Sequence, residues 1–148
     1  RPQVLHQTGP ADEAAVRAAY AGHGIAAEVR AFVDDMPAQL AACDLMVCRA
    51  GAITVSELCA AGVPAILVPL VVSTTAHQRD NAQWLAAQGG AVHLPQPELT
   101  AERLAAEIAR LDRATLLAMA VKARAQARPQ AAARVADEIE AQVKRMAR

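Results

Sequence analysis

The ten residues Cys48-Arg49-Ala50-Gly51-Ala52-Ile53-Thr54-Val55-Ser56-Glu57 have the types and spacing to hold an anion. They follow a run ending at Val47 that reads as a strand, and they lead into an amphipathic segment that stops at Gly62. A strand, a tight turn of small residues and a helix start together present free backbone N–H groups, and the helix dipole favours negative charge at that spot. Gly51, between Ala50 and Ala52, lets a ligand come close to the main chain. The chemistry indicated is the binding of a phosphate-bearing molecule. Glu57, one turn into the helix, would stand where it could accept hydrogen bonds from sugar hydroxyls. Thr54-Val55-Ser56-Glu57 also fits the S/T-x-x-E capping box, in which Glu57 closes back on the cap residue. The two readings can coexist.

Other polar residues fall beside this segment. Arg49 leaves an apolar strand, where an unpaired buried charge would be costly, so it reads as a phosphate ligand or as the partner of a carboxylate. Gln78 and Asn81 share a helix face, either solvated or in contact with a sugar, and His77 beside them reads as a surface or capping residue as readily as a ligand. Ser56 lacks the G-x-S-x-G elbow of a hydrolase nucleophile. Asp34-Asp35 is adjacent rather than Asp-x-Asp, which fits a helix cap and not a metal motif. His6, His23 and His93 read as structural or exposed.

The elements that must position these residues alternate. The pattern predicts strands at Gln3–Gln7, Glu28–Val33, Leu45–Cys48, Ala65–Leu70 and Ala91–Leu94. Helices are predicted at Asp12–Gly22, Met36–Ala42, Thr54–Ala61 and Gln78–Ala87. Thr8-Gly9-Pro10, Gly62-Val63-Pro64, a Ser-Thr-Thr loop, Gly89-Gly90 and Pro95-Gln96-Pro97 break them. From Thr100 on, only Ala-rich helix is expected, opened by Thr100-x-x-Arg103 and divided at Pro129. Strands alternating with helices imply an α/β fold with a doubly wound, Rossmann-like parallel sheet, whose ligands sit beyond the carboxyl ends of the strands. The turns after Phe32, Cys48 and Leu70 share that rim. The whole of 1–148 reads as a single domain, alternating over 1–99 and helical over 100–148.

Composition excludes several classes. Formal charge is zero and aromatics are 2% of residues, which leaves neither a basic field nor a stacking platform for nucleic acid. No apolar run reaches membrane-spanning length and no signal peptide is visible, so the chain reads as cytoplasmic. Cys43, Cys48 and Cys59 are an odd count without C-x-x-C spacing and read as free thiols on apolar elements, not as a zinc site or disulfide. Arg1-Pro2 runs straight into a strand with no start-methionine context, so a fragment without its opening strand is expected.

Three motifs in order carry a family resemblance. Phe32-Val33-Asp34-Asp35-Met36, then Cys48 through Glu57, then His77-Gln78-x-x-Asn81-Ala82 closely resemble the C-terminal domain of the MurG family. His6-Gln7-Thr8-Gly9 and Ala123-Arg124-Ala125-x-Ala127-Arg128-Pro129 are similar to it as well. The resemblance implies the C-terminal, donor-binding half of a GT-B fold. Its reaction would be inverting transfer of N-acetylglucosamine from UDP-GlcNAc, converting lipid I to lipid II in peptidoglycan synthesis, and so cell-wall biogenesis, cell shape and division. It implies that Val33 reads the uracil edge through its backbone with Phe32 packing nearby, and that Ala52 to Thr54 cradle the diphosphate. Glu57 would accept from the ribose hydroxyls. Gln78, with His77 and Asn81, would contact the sugar, and Arg49 would lie near the donor or order its loop. The implied donor-binding set is thus Phe32, Val33, Arg49, Gly51, Ala52, Ile53, Thr54, Val55, Ser56, Glu57, His77, Gln78 and Asn81. A helix N-terminus can stabilise the departing diphosphate, so no metal and no cofactor is expected.

The family's Gly-rich donor loop, its acceptor domain for lipid I and the general base are not in this chain, which on its own is not expected to catalyse transfer. The full-length enzyme would work peripherally at the cytoplasmic face of the bacterial inner membrane. The C-terminal helices would expose an apolar face suited to self-association. Two other readings are a UDP-GlcNAc 2-epimerase-like domain, which expects paired acidic residues where only Glu57 stands, and a non-enzymatic nucleotide-sugar-binding subunit that needs a partner chain.

Overall fold

Two short parallel sheets, each closed by helical crossovers, make up the chain in a computed structural model that describes residues 2–70 and 76–146. The chain divides into two compact units, Arg1–Gln39 and Leu40–Arg148, with the boundary inside helix α2 (Met36–Ala42).

In the first unit, β1 (Val4–Gln7) pairs in parallel with β2 (Ala27–Arg30), in the register Val4↔Ala27 to Gln7↔Arg30. A parallel pair needs a crossover, here helix α1 (Glu13–Gly22). Arg17 ties α1 to β2 by donating to the Val29 carbonyl at 2.7 Å, and Tyr20 Oη meets His6 Nδ1 at 3.1 Å. The strand expected to reach Val33 ends at Arg30: the Thr8 and Gly9 amides still bond the carbonyls of Arg30 and Ala31, but the Val33 amide goes to the Gln7 side chain rather than to backbone. Asp35 Oδ1 accepts from the Ala38 amide at 3.0 Å, so of the acidic pair Asp35 caps the next helix.

In the second unit, β3 (Met46–Cys48), β4 (Ala65–Leu67) and β5 (Ala91–His93) form a parallel sheet in the order β3-β4-β5. Helix α3 (Ala52–Ala61) connects β3 to β4, and α4 (His77–Ala87) precedes β5. A 3-10 turn (Gln96–Glu98) and helices α5 (Ala101–Arg110), α6 (Arg113–Ala125) and α7 (Ala131–Met146) follow. Ala65, Ile66 and Leu67 are wholly buried, as a central parallel strand covered on both faces should be. The strand stops short of the expected Leu70 because Pro69 has no N–H to pair and the Val68 carbonyl turns to a side chain. Ile66, Val68, Leu94, Leu111 and Met119 form the core on one face, joined by Leu45, Val92, Leu104 and Leu116.

Gly62 ends α3 in the left-handed region at φ 73°, its amide and that of Val63 both on the Leu58 carbonyl. The Ala-rich tail is three helices, not two. Besides the break at Pro129, Asp112 caps α6 by accepting from the Thr115 amide, while Thr100 caps α5 as expected. Leu117 and Val121 on α6 and Val135, Ile139 and Val143 on α7 are exposed. The Ser-Thr-Thr loop lies outside the described residues. Among the described residues no helix is long and apolar enough to cross a membrane.

Candidate ligand site at the carboxyl rim of the sheet

Because β3, β4 and β5 are parallel, their exits at Cys48, Leu67 and His93 lie along one rim. Helix α3 starts there, two residues earlier than expected. Gly51 is its N-cap in extended conformation, with no side-chain cap. Thr54 therefore sits within the first turn, and the capping box read from Thr54-x-x-Glu57 does not form. Its spacing is right but its register is wrong, since Thr54 is not the residue before the helix. The consequence is chemical. The amides of Ala52, Ile53 and Thr54 have no acceptor among the described residues, while the first satisfied one, Val55 N–H, bonds the Gly51 carbonyl at 2.9 Å. The absence of a cap leaves the positive end of α3 open to an anion.

The remaining residues of the ten-residue block differ in what they can offer. Val55 is buried, and its side chain belongs to the core. Ser56 Oγ donates back to the Ala52 carbonyl at 2.8 Å. Glu57 is exposed, with no hydrogen-bond partner among the described residues, and Ile53 is exposed beside it on the first turn.

Helix α4 is tied to the rim by its side chains. Asn81 Nδ2 donates to the Ala50 carbonyl at 3.0 Å, and Gln78 Oε1 accepts from the Leu70 amide at 2.9 Å. Both amides sit three apart on one face, so each has one group fixed on backbone and one remaining. His77, the first residue of α4, is exposed.

Among the described residues Arg49 has no ion-pair partner, but it is hydrogen-bonded. Its Nη1 donates to the Val68 carbonyl at 3.1 Å and to Gln96 Oε1 at 2.5 Å, bridging the exits of β3, β4 and β5. The carboxylate partner considered from sequence is not found among the described residues. Gln96 was legible only as a turn residue, since it stands 47 positions from Arg49 and no local spacing connects them.

Phe32 and Val33 lie in the 1–39 unit. Phe32 is 66% exposed and Val33 only 4%. The Val33 amide donates to Gln7 Oε1 at 2.9 Å, so the backbone group Val33 retains is its carbonyl.

The thiols are free, with Cys43 and Cys48 half-buried and Cys59 buried. Burial first, and Cys43 second, push the Cys48 thiol up to about 11, which makes it a poor nucleophile at neutral pH. Among the described residues no group of three His, Cys, Asp or Glu side chains could hold a metal ion.

The glycosyltransferase family 28 C-terminal domain matches residues 1–139. The chain is similar to the UDP-N-acetylglucosamine–N-acetylmuramyl-(pentapeptide) pyrophosphoryl-undecaprenol N-acetylglucosamine transferase of Methylibium petroleiphilum, 62% identical over 147 residues, covering 98% of this chain and 40% of that protein. It is 65% identical over 139 residues to the protein of the same name from Chromobacterium violaceum, covering 93% of this chain and 39% of that one. Among solved structures it is similar to Acinetobacter baumannii MurG, with a TM-score of 0.89 and 39% identity over 93% of this chain and 42% of the other. The chain thus spans about 40% of the length of the curated relatives it matches.

Proposed function

This chain belongs to the glycosyltransferase family 28 C-terminal domain, alongside the MurG transferases, and from that premise we propose that it binds UDP-GlcNAc as the donor half of a lipid I to lipid II transferase. The observation that carries the reading is the open start of α3, with the amides of Ala52, Ile53 and Thr54 unpaired among the described residues and Arg49 on the same rim. The diphosphate lies over that turn. In transfer, negative charge grows on the diphosphate as the sugar leaves, and fixed amides, the helix dipole and a guanidinium stabilise it without reorganising. Glu57 accepts from the ribose hydroxyls. The free groups of Gln78 and Asn81, with His77, meet the sugar. Within the 1–39 unit, taken by itself, the groups suited to a base are the exposed ring of Phe32 and the Val33 carbonyl.

An acceptor domain and general base outside this chain complete the reaction, so the chain alone binds donor without transferring it. The full-length protein acts peripherally at the cytoplasmic face of the membrane. The exposed apolar faces of α6 and α7 let the isolated chain self-associate.

Calorimetric titration with UDP-GlcNAc, UDP, UDP-glucose and GDP-mannose tests the donor assignment. Saturable binding of the UDP ligands, absent for GDP-mannose and weakened about tenfold by Glu57→Ala, is expected from loss of a charge-assisted hydrogen bond. A folded chain that binds GDP-mannose as well as UDP-GlcNAc would refute it.

A further inference from the structure

We propose that Gln96 is a positioning residue for Arg49, holding its guanidinium at the sheet rim without neutralising it; the inference rests on the reading of that rim as a diphosphate site. Arg49 Nη1 makes both of the bonds that fix the side chain, one to Gln96 Oε1 at 2.5 Å and one to the Val68 carbonyl at 3.1 Å. Both acceptors are neutral. Among the described residues no carboxylate comes within ion-pair distance of Arg49.

A guanidinium carries five N–H donors in a rigid fork. With Nη1 anchored, the edge formed by Nε and Nη2 has no acceptor among the described residues, and Arg49 is exposed. That edge suits two oxygens of one phosphate group. A mobile arginine would have to be ordered when ligand binds, at a cost in side-chain entropy; one tethered at Nη1 is ordered beforehand.

The identity of the tether matters as much as its position. Gln96 stands in the 3-10 turn after β5 and reaches back across the exits of β4 and β3. A glutamate at 96 would keep an oxygen in the same place, but it would form an ion pair and cancel the charge the phosphate needs. A glutamine holds the guanidinium and leaves its charge intact.

UDP and uridine, the latter lacking phosphate, are titrated calorimetrically into wild type, Gln96→Ala and Gln96→Glu, with thermal midpoints measured in parallel. The expected losses of UDP affinity are about threefold for Gln96→Ala and about tenfold for Gln96→Glu, the size of weakening one charge-assisted contact. Uridine affinity and the midpoint of Gln96→Glu should stay at wild-type values. A tether with a purely structural role would be preserved by Gln96→Glu, which keeps the acceptor. Wild-type UDP binding by Gln96→Glu, or equal losses for uridine and UDP, therefore overturns the inference while the rim remains a donor site. Failure of folded wild type to bind UDP overturns the inference together with the reading of the rim.

Discussion

Cys48 and Arg49 are neighbours at the exit of β3, yet their surroundings treat them oppositely. Burial keeps the Cys48 thiol protonated up to about 11, while Arg49 is exposed and held by neutral acceptors. The raised thiol value is also a statement about stability. The folded-state value lies above the ordinary 9.0, so the advantage of the neutral thiol is complete below about pH 9 and is lost as pH rises through 11. The thermal midpoint should fall over that window, and Cys48→Ala should flatten part of the fall; raised values at Cys43 and Cys59 leave a residual slope. Identical slopes for wild type and Cys48→Ala would contradict this. At this scale the sequence was a partial guide. Free thiols and the Asp35 cap were legible because both are local properties of composition and spacing. The acceptors of Arg49 were not, because they come from separate strand exits brought together only by the parallel sheet.

Helix α3 starts without a side-chain cap, which leaves its own N-terminus less stable than a capped one. Gly51 leaves the first amides uncapped, and a Cβ there would meet nothing closer than Thr54 Oγ1 at 3.7 Å, so a side chain fits. Gly51→Asp should cap the helix and meet its dipole favourably, raising stability by about 0.5 kcal/mol in chemical denaturation. The same carboxylate occupies and repels the anion position, so UDP affinity should fall about tenfold or more. Rising stability with unchanged affinity would dissociate the cap from the site. Packing is less forgiving at the turn into β5. A Cβ on Gly90 would lie 2.9 Å from Leu85 Cδ1 and 3.0 Å from Ala123 Cα, which is backbone that cannot swing aside. Gly90→Ala should cost about 1–3 kcal/mol in denaturant titration, and a neutral substitution would mean that α6 is not seated there. The elements themselves were readable from periodicity because apolar runs and Gly or Pro breaks are local. The register of α3 was not: a Thr-x-x-Glu spacing reads the same whether it precedes a helix or lies inside its first turn. The break at Asp112 was hidden in a stretch whose alanines favour helix on both sides.

At the scale of the molecule, the chain spans about 40% of the length of the curated relatives it matches. The α/β class with parallel sheets was legible because alternation of strands and helices constrains topology strongly. The division into units at Gln39 was not, since it falls inside the helical pattern of α2 rather than at a Gly- or Pro-rich linker. The exposed apolar residues of α6 and α7 lead to an expected concentration-dependent rise in mass by sedimentation equilibrium; a monodisperse monomer at high concentration would contradict it. Backbone amide NMR of the labelled chain during a UDP titration reads where the nucleotide's phosphates sit. Saturable shifts concentrated at the amides of Ala52, Ile53 and Thr54, with the Arg49 Nε–H moving in step, are the expected result. Saturable shifts that leave those groups unmoved, or no shifts at all in a folded chain, would contradict it.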